Sequence, residues 1–204
     1  MISLTEQLQE LHEFDDRHKW LLDADLTYCS GRFLLLRDDF FFRLSGGYLL
    51  HQASEKYLKT LRKVVVPNII MRKGGHNLEK ILDDLNGKIE SSLYKKITES
   101  IERIEPLAEF RYPDLTRQRD IRTMREGLEG TDCMVASIRS KIDSYSPIIA
   151  SKGIKRYISG SKNDDQKLLI DSLLRNNSSA KYWINHLSGI NTKIDHRLRR
   201  YQPV

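Results

Sequence analysis

Gly47-Tyr48-Leu49-Leu50-His51-Gln52-Ala53-Ser54-Glu55-Lys56-Tyr57-Leu58-Lys59 reads as the middle of one long helix. Leu50, Ala53, Tyr57, Leu61 and Val64 recur at intervals of three and four, which sets them on one face, and Pro67 stops the run. The spacing predicts a helix from roughly Asp39 to Val66. Gly46 and Gly47 weaken it by about 1 kcal/mol each relative to alanine, a penalty that close approach of another helix explains. His51 and Gln52 are polar among apolar neighbours, so they hydrogen-bond across an interface, line a small cavity or meet a ligand directly. Glu55 and Lys59 form an i,i+4 pair in the favourable orientation.

Helical spacing continues on both sides. Ser3-Leu4-Thr5-Glu6 has the form of a capping box, with Leu4, Leu8 and Leu11 on one face. Asp15-Asp16 is expected to open a second helix through Trp20, Ala24, Tyr28 and Leu35. Downstream, His76 to Leu85 reads as a short helix, and Ile89 to Glu105 as another with Ile97, Ile101 and Ile104 inward. Ile121, Met124, Leu128, Val135, Ile138, Ile142 and Tyr145 hold helical spacing over several turns. Ser146-Pro147 breaks that helix, and Ser159-Gly160-Ser161-Lys162-Asn163 reads as a polar linker. Leu168 to Leu174 is a short helix, and a final helix carries Trp183, Leu187, Ile190, Ile194, Leu198 and Tyr201 in one stripe. No segment alternates as a strand. The expected fold is all-α, with a helical bundle over 1–145 (core 14–145) and a helical C-terminal extension over 146–204.

Composition narrows the class. With 39% hydrophobic and 30% charged residues in 204, the chain is expected to be one soluble, well-cored domain with an appendage. No apolar run approaches the roughly 18 residues that cross a bilayer, and the first residues lack the basic and apolar regions of a signal peptide. Cys29 and Cys133 lie outside any metal-spaced cluster, which points to free thiols in a reducing cytoplasm and to no metal site. No motif calls for a cofactor. The charge is split: residues 1–110 have a net of −2 and residues 111–204 a net of +8, so a polyanion would meet the second half first.

Three further segments carry candidate chemistry. His76 follows Gly74-Gly75 at a helix start, where it either caps the helix or meets a phosphate attracted to free N–H groups. In Arg111-Tyr112-Pro113-Asp114, Tyr112 is biased toward extended backbone by the proline, and Asp114 can cap the next helix. Arg111 either pairs with a carboxylate or faces a phosphate. Arg117, Arg119, Arg122 and Arg125 form a spaced array in which Glu126 and Glu129 lie four residues after Arg122 and Arg125. That array is either a solvated, self-paired face or a track for RNA.

Gln52-Ala53-Ser54-Glu55-Lys56 with Lys59, then His76-Asn77-Leu78, then Arg111-Tyr112-Pro113-Asp114 resemble, in that order, the HEPN family (higher eukaryotes and prokaryotes nucleotide-binding) over about residues 14–145. The resemblance implies an antiparallel four-helix bundle with an added short helix, commonly dimeric. Many members are metal-independent ribonucleases, often toxins, whose arginine precedes a histidine by four to six intervening residues. None of His12, His18, His51, His76, His186 and His196 has an arginine at that spacing; Arg72–His76 and Arg43–His51 are the near misses. Members without the motif are thought to bind nucleotides or to partner small nucleotidyltransferases. The expectation is therefore a non-catalytic, homodimeric module that binds a nucleotide or RNA phosphate through Lys56, Lys59, His76, Arg111 and Tyr112. The alternatives are a helical partner of a separate nucleotidyltransferase chain, or a ribonuclease with a non-standard site built from His76 and the nearby arginines.

Overall fold

The computed structural model describes residues 4–37, 39–67, 76–111, 121–145, 154–190 and 192–201, without the side chains of 4–16, 18 and 111. Among the described residues the fold is all-α, and no strand forms. Helix α1 runs Leu4–Leu35, α2 Phe40–Val65, α3 Leu78–Asp83, α4 Ser91–Ile104 and α5 Ile121–Tyr145, with a 3-10 turn at Glu105–Arg111 after α4. The C-terminal part holds α6 Ile154–Gly160, α7 Asn163–Leu174, α8 Ala180–Leu187 and α9 Thr192–Leu198, with a 3-10 turn at Arg199–Tyr201. No helix of the described residues is long and apolar enough to cross a membrane.

The long central helix forms where its spacing predicts. Asp39 caps it by accepting from the N–H groups of Phe41 (2.8 Å) and Phe42 (3.2 Å), and it ends at Val66 before Pro67. Gly46 and Gly47 have separate reasons. A Cβ on Gly46 would strike the backbone of α1 at Leu35 and lie 2.8 Å from the Gly31 carbonyl oxygen, and one on Gly47 would enter the ring of Phe110. The close approach is therefore made within the chain. Lys56 reaching Thr27 and Lys63 lying over the Trp20 ring show that α1 and α2 form an antiparallel hairpin.

Four expectations about helix boundaries are corrected. Asp15-Asp16 does not start a new helix, because α1 is continuous from Leu4 through Ser30 and Gly31. With no proline in the run, extending a helix gains a hydrogen bond per residue, whereas a new start must nucleate again. The stripe from Trp183 to Tyr201 is not one helix. It breaks after α8, where Gly189 takes φ +77° and its N–H donates to Asp195 Oδ1 at 2.9 Å. Likewise Gly160 ends α6 instead of lying in an open linker, and α7 begins at Asn163, ahead of the expected Leu168.

The extension shares one core with the helices before it. Trp183 is fully buried and stacks on Tyr28 of α1, ring centroids 5.9 Å apart and planes 22° apart. Beneath it run two buried ion pairs of opposite polarity, Arg32 of α1 with Asp132 of α5, and Asp25 of α1 with Arg139 of α5 (3.6 Å). Each is joined to the extension. Arg32 Nε donates to the Ser172 carbonyl (2.7 Å), Asp25 Oδ2 accepts from Ile154 N (3.0 Å), and Arg139 lies 2.8 Å from His186 Nε2. Tyr28 and Tyr57 donate to Asp132 and Asp25, which completes the network. None of these four charged residues stands out in the sequence as a core residue.

Burying such a pair gives little net stabilisation, but removing one partner strands the other charge. Asp132→Ala is expected to destabilise the fold by about 3–5 kcal/mol, measured by urea denaturation. Arg32→Met combined with Asp132→Leu is expected to recover part of that loss, since no unpaired charge remains; a double variant weaker than Asp132→Ala contradicts this account.

Candidate functional site

A cleft of about 440 Å³ opens on the outer side of α2 and is lined by Tyr48, His51, Gln52, Glu55, Lys56, His76, Glu105 and Ala108. Helical spacing builds its floor, since residues 48, 51, 52, 55 and 56 fall on one face of α2. The 3-10 turn supplies one wall. It is anchored by Phe110 and Leu107, which are buried, and Phe110 packs on Gly47. The opposite rim is His76, just ahead of α3.

Inside the cleft the polar groups are unevenly satisfied. Gln52 Nε2 donates to the Tyr48 hydroxyl at 2.7 Å. His76 Nδ1 lies 3.1 Å from Glu55 Oε2, and Glu55 also receives Lys59. Burial raises the Glu55 carboxyl, but the hydrogen bonds from Lys59 and His76 outweigh it and hold that group below its ordinary range. His51 is 7% exposed, and its Nε2 stands 3.9 Å from Glu105 Oε2, too far for a hydrogen bond. Among the described residues neither His51 Nε2 nor Glu105 Oε1 has a hydrogen-bond partner. Desolvation depresses the proton affinity of His51 despite the opposing charges of Glu105 and Glu55. No three described His, Cys, Asp or Glu side chains are grouped so as to hold a metal ion.

The predicted site residues meet different fates. Lys56 lines the cleft, yet its ammonium is held on the α1 side by Asp23 (2.8 Å) and Thr27 (2.8 Å). Lys59 is bound to Glu55. His76 reaches the cleft but does not begin α3: Asn77 is the cap, its Oδ1 accepting from Lys80 N at 2.9 Å. Asparagine is the better cap because its short side chain reaches back to the first turn. Arg111 ends the turn that forms the wall, its side chain outside the described residues, as are Tyr112, Asp114, Arg117 and Arg119. Arg122 and Arg125 carry Glu126 (2.7 Å) and Glu129 (3.1 Å) on an exposed face, as the self-paired reading of the array expects. Glu105 and Ala108 were not legible, because nothing in their spacing distinguishes them from other residues around a proline.

The chain matches no family model, no curated protein and no solved structure among those compared. The likeness to the HEPN family therefore rests on the three blocks of residues themselves.

The depressed proton affinity of His51 has a measurable sign. An unfolded histidine takes up its proton near pH 6.5, while native His51 resists protonation, so the unfolded state binds more protons as pH falls through that region. Stability is thus full above the unfolded value and declines on acidification. Thermal melts between pH 7 and 5 should show that loss, and His51→Gln should flatten it; an unchanged slope in the variant excludes His51 as its source.

Proposed function

We propose that this chain is a non-catalytic, HEPN-like helical module that binds a nucleotide or an RNA phosphate in the α2 cleft. The observation that supports this most is convergence: Gln52, Glu55 and Lys56 of the first block, His76 of the second, and the turn leading into Arg111 of the third border one cleft. Its chemistry suits a nucleotide better than a bare anion. Glu55 and Glu105 accept from ribose hydroxyls or base amino groups, Gln52 offers an amide, and His51 presents a buried ring nitrogen. A phosphate must share Lys56 with Asp23 and Lys59 with Glu55, so the lysines act as part-neutralised cations rather than as open phosphate clamps. The non-catalytic part of the reading rests on the sequence, in which no arginine precedes a histidine at the ribonuclease spacing.

Nucleotide at a hundred times its dissociation constant should stabilise the chain by about 2.7 kcal/mol, read as a rise in melting temperature. Gln52→Ala and His76→Ala should each reduce that rise while leaving the helical circular-dichroism signal intact. A chain stabilised by no nucleoside phosphate refutes the reading, and metal-free cleavage of RNA refutes its non-catalytic part.

We further propose that the module works as a homodimer through the start of α2. Phe40, Phe41 and Phe42 are 44%, 64% and 51% exposed, more adjoining aromatic surface than water favours. Sedimentation at micromolar concentration should give about twice the 23.8 kDa chain mass. A monomer would leave this aromatic face to another chain, such as the nucleotidyltransferase partner that the resemblance implies.

A further inference from the structure

Ion pairing is unequally shared along the described chain. Before Tyr145 many basic side chains have a carboxylate within reach, as Lys56 has Asp23, Arg122 has Glu126 and Lys141 has Glu90. Residues 154–201 carry ten Lys and Arg against four Asp, a net of +6. Among the described residues, none of those ten is ion-paired. The four acids are engaged elsewhere or compensated by backbone: Asp171 by the Tyr201 hydroxyl, Asp195 by Gly189 N, and Asp164 and Asp165 by the first turn of α7.

Five of these cations gather at the two ends of α7. At its start, Arg156 and Lys162 border a cleft of about 660 Å³ together with Tyr157, Ser161 and Asp165. Arg197 Nη1 donates to the Asn163 carbonyl (3.1 Å), which brings a third cation to that end. At the far end Arg175 and Arg200 act electrostatically on Tyr201. The twelve residues of α7 separate the two groups by about 18 Å. Tyr157, 46% exposed, lines the same cleft as Arg156 and Lys162.

We infer that α6 to α9 form a docking face for single-stranded nucleic acid, RNA or DNA, with Arg156, Lys162 and Arg197 on backbone phosphates and Tyr157 stacked on a base. The charge is spread too widely for one mononucleotide, and a net excess of like charges gains from a polyanion that releases its counterions. A membrane surface fits less well, because Tyr157 and Leu168 are the large apolar side chains that this region exposes, too few for an inserted face. This face is separate from the α2 cleft and stands whether or not that cleft binds a nucleotide.

The test is fluorescence anisotropy of the full chain with labelled oligouridylate and oligothymidylate over a salt series, beside flotation with phosphatidylserine vesicles. Affinity should fall with salt at a logarithmic slope of about −2, since three phosphates contribute about 0.7 each on a single strand. Arg156→Glu with Lys162→Glu should weaken binding at least tenfold and flatten the slope, and Tyr157→Ala should weaken it about five- to a hundredfold. Lys95→Glu on α4, the same change of sign per residue at another exposed site, should leave affinity unchanged. Melting curves of the variants should match the parent, because all three altered positions are exposed. Salt-insensitive or absent oligonucleotide binding overturns the inference, as does vesicle binding with the same response to the variants. Displacement of the oligonucleotide by a mononucleotide that occupies the α2 cleft overturns it too, whereas failure of mononucleotide binding alone refutes only the reading of that cleft.

Discussion

The reciprocal pairing of Asp25 and Arg32 on α1 with Arg139 and Asp132 on α5 is the constraint on which the rest of the structure depends. Each helix carries one acid and one base seven residues apart, in the same order along the chain, so an antiparallel crossing matches both pairs at once. Sliding either helix by a turn, or reversing it, sets like charges together or leaves them alone in a dry interior. Apolar packing tolerates such slips more readily, since one leucine resembles another. The pairs therefore serve register more than stability, a role for which buried polar groups are best suited. The extension inherits that precision, because Ser172, Ile154 and His186 all bond to members of the network.

The cleft on α2 depends on the same kind of exactness in packing. Gly46 lets α1 lie against α2 backbone to backbone, and Gly47 admits Phe110, which holds the 3-10 turn where Glu105 and Ala108 form a wall. A side chain at Gly47 would lift the turn away from the floor, and one at Gly46 would part α1 from α2. The helix penalty of two adjacent glycines is thus offset by the close packing of α1 at one and of the turn that walls the cleft at the other.

Much of this was legible in the chain, and the exceptions have physical causes. Long helices with regular apolar spacing, such as α2 and the stretch from Ile121 to Tyr145, declare themselves through periodicity alone. The cleft floor was partly legible, because His51 and Gln52 interrupt an apolar face. Asp25, Arg32, Asp132 and Arg139 were not, since a lone charge is usually a surface residue. Yet Leu21, Asp25, Tyr28, Arg32 and Leu35 repeat the four-three-four-three spacing of Leu128, Asp132, Val135, Arg139 and Ile142. Charges that fall in step with two apolar stripes, in complementary order, are the pattern that marks a buried pair. The wall at Glu105 depends on tertiary neighbours that spacing does not encode, whereas the break at Gly189 is local, a left-handed glycine whose N–H reaches Asp195 six residues on.

The network also bears on how the chain is made. Arg32 and Asp132 are separated by 100 positions, and the Tyr28–Asn177 contact spans 149. At synthesis rates of about 5–20 residues per second, Arg32 waits roughly 5–20 seconds for the acid that neutralises it. During that interval the α1–α2 hairpin emerges with Asp25 and Arg32 still hydrated, and its core face stays wet until Asn177 and Trp183 have followed. A nascent chain stalled before residue 132 therefore presents a charged, unfinished face for chaperones to hold.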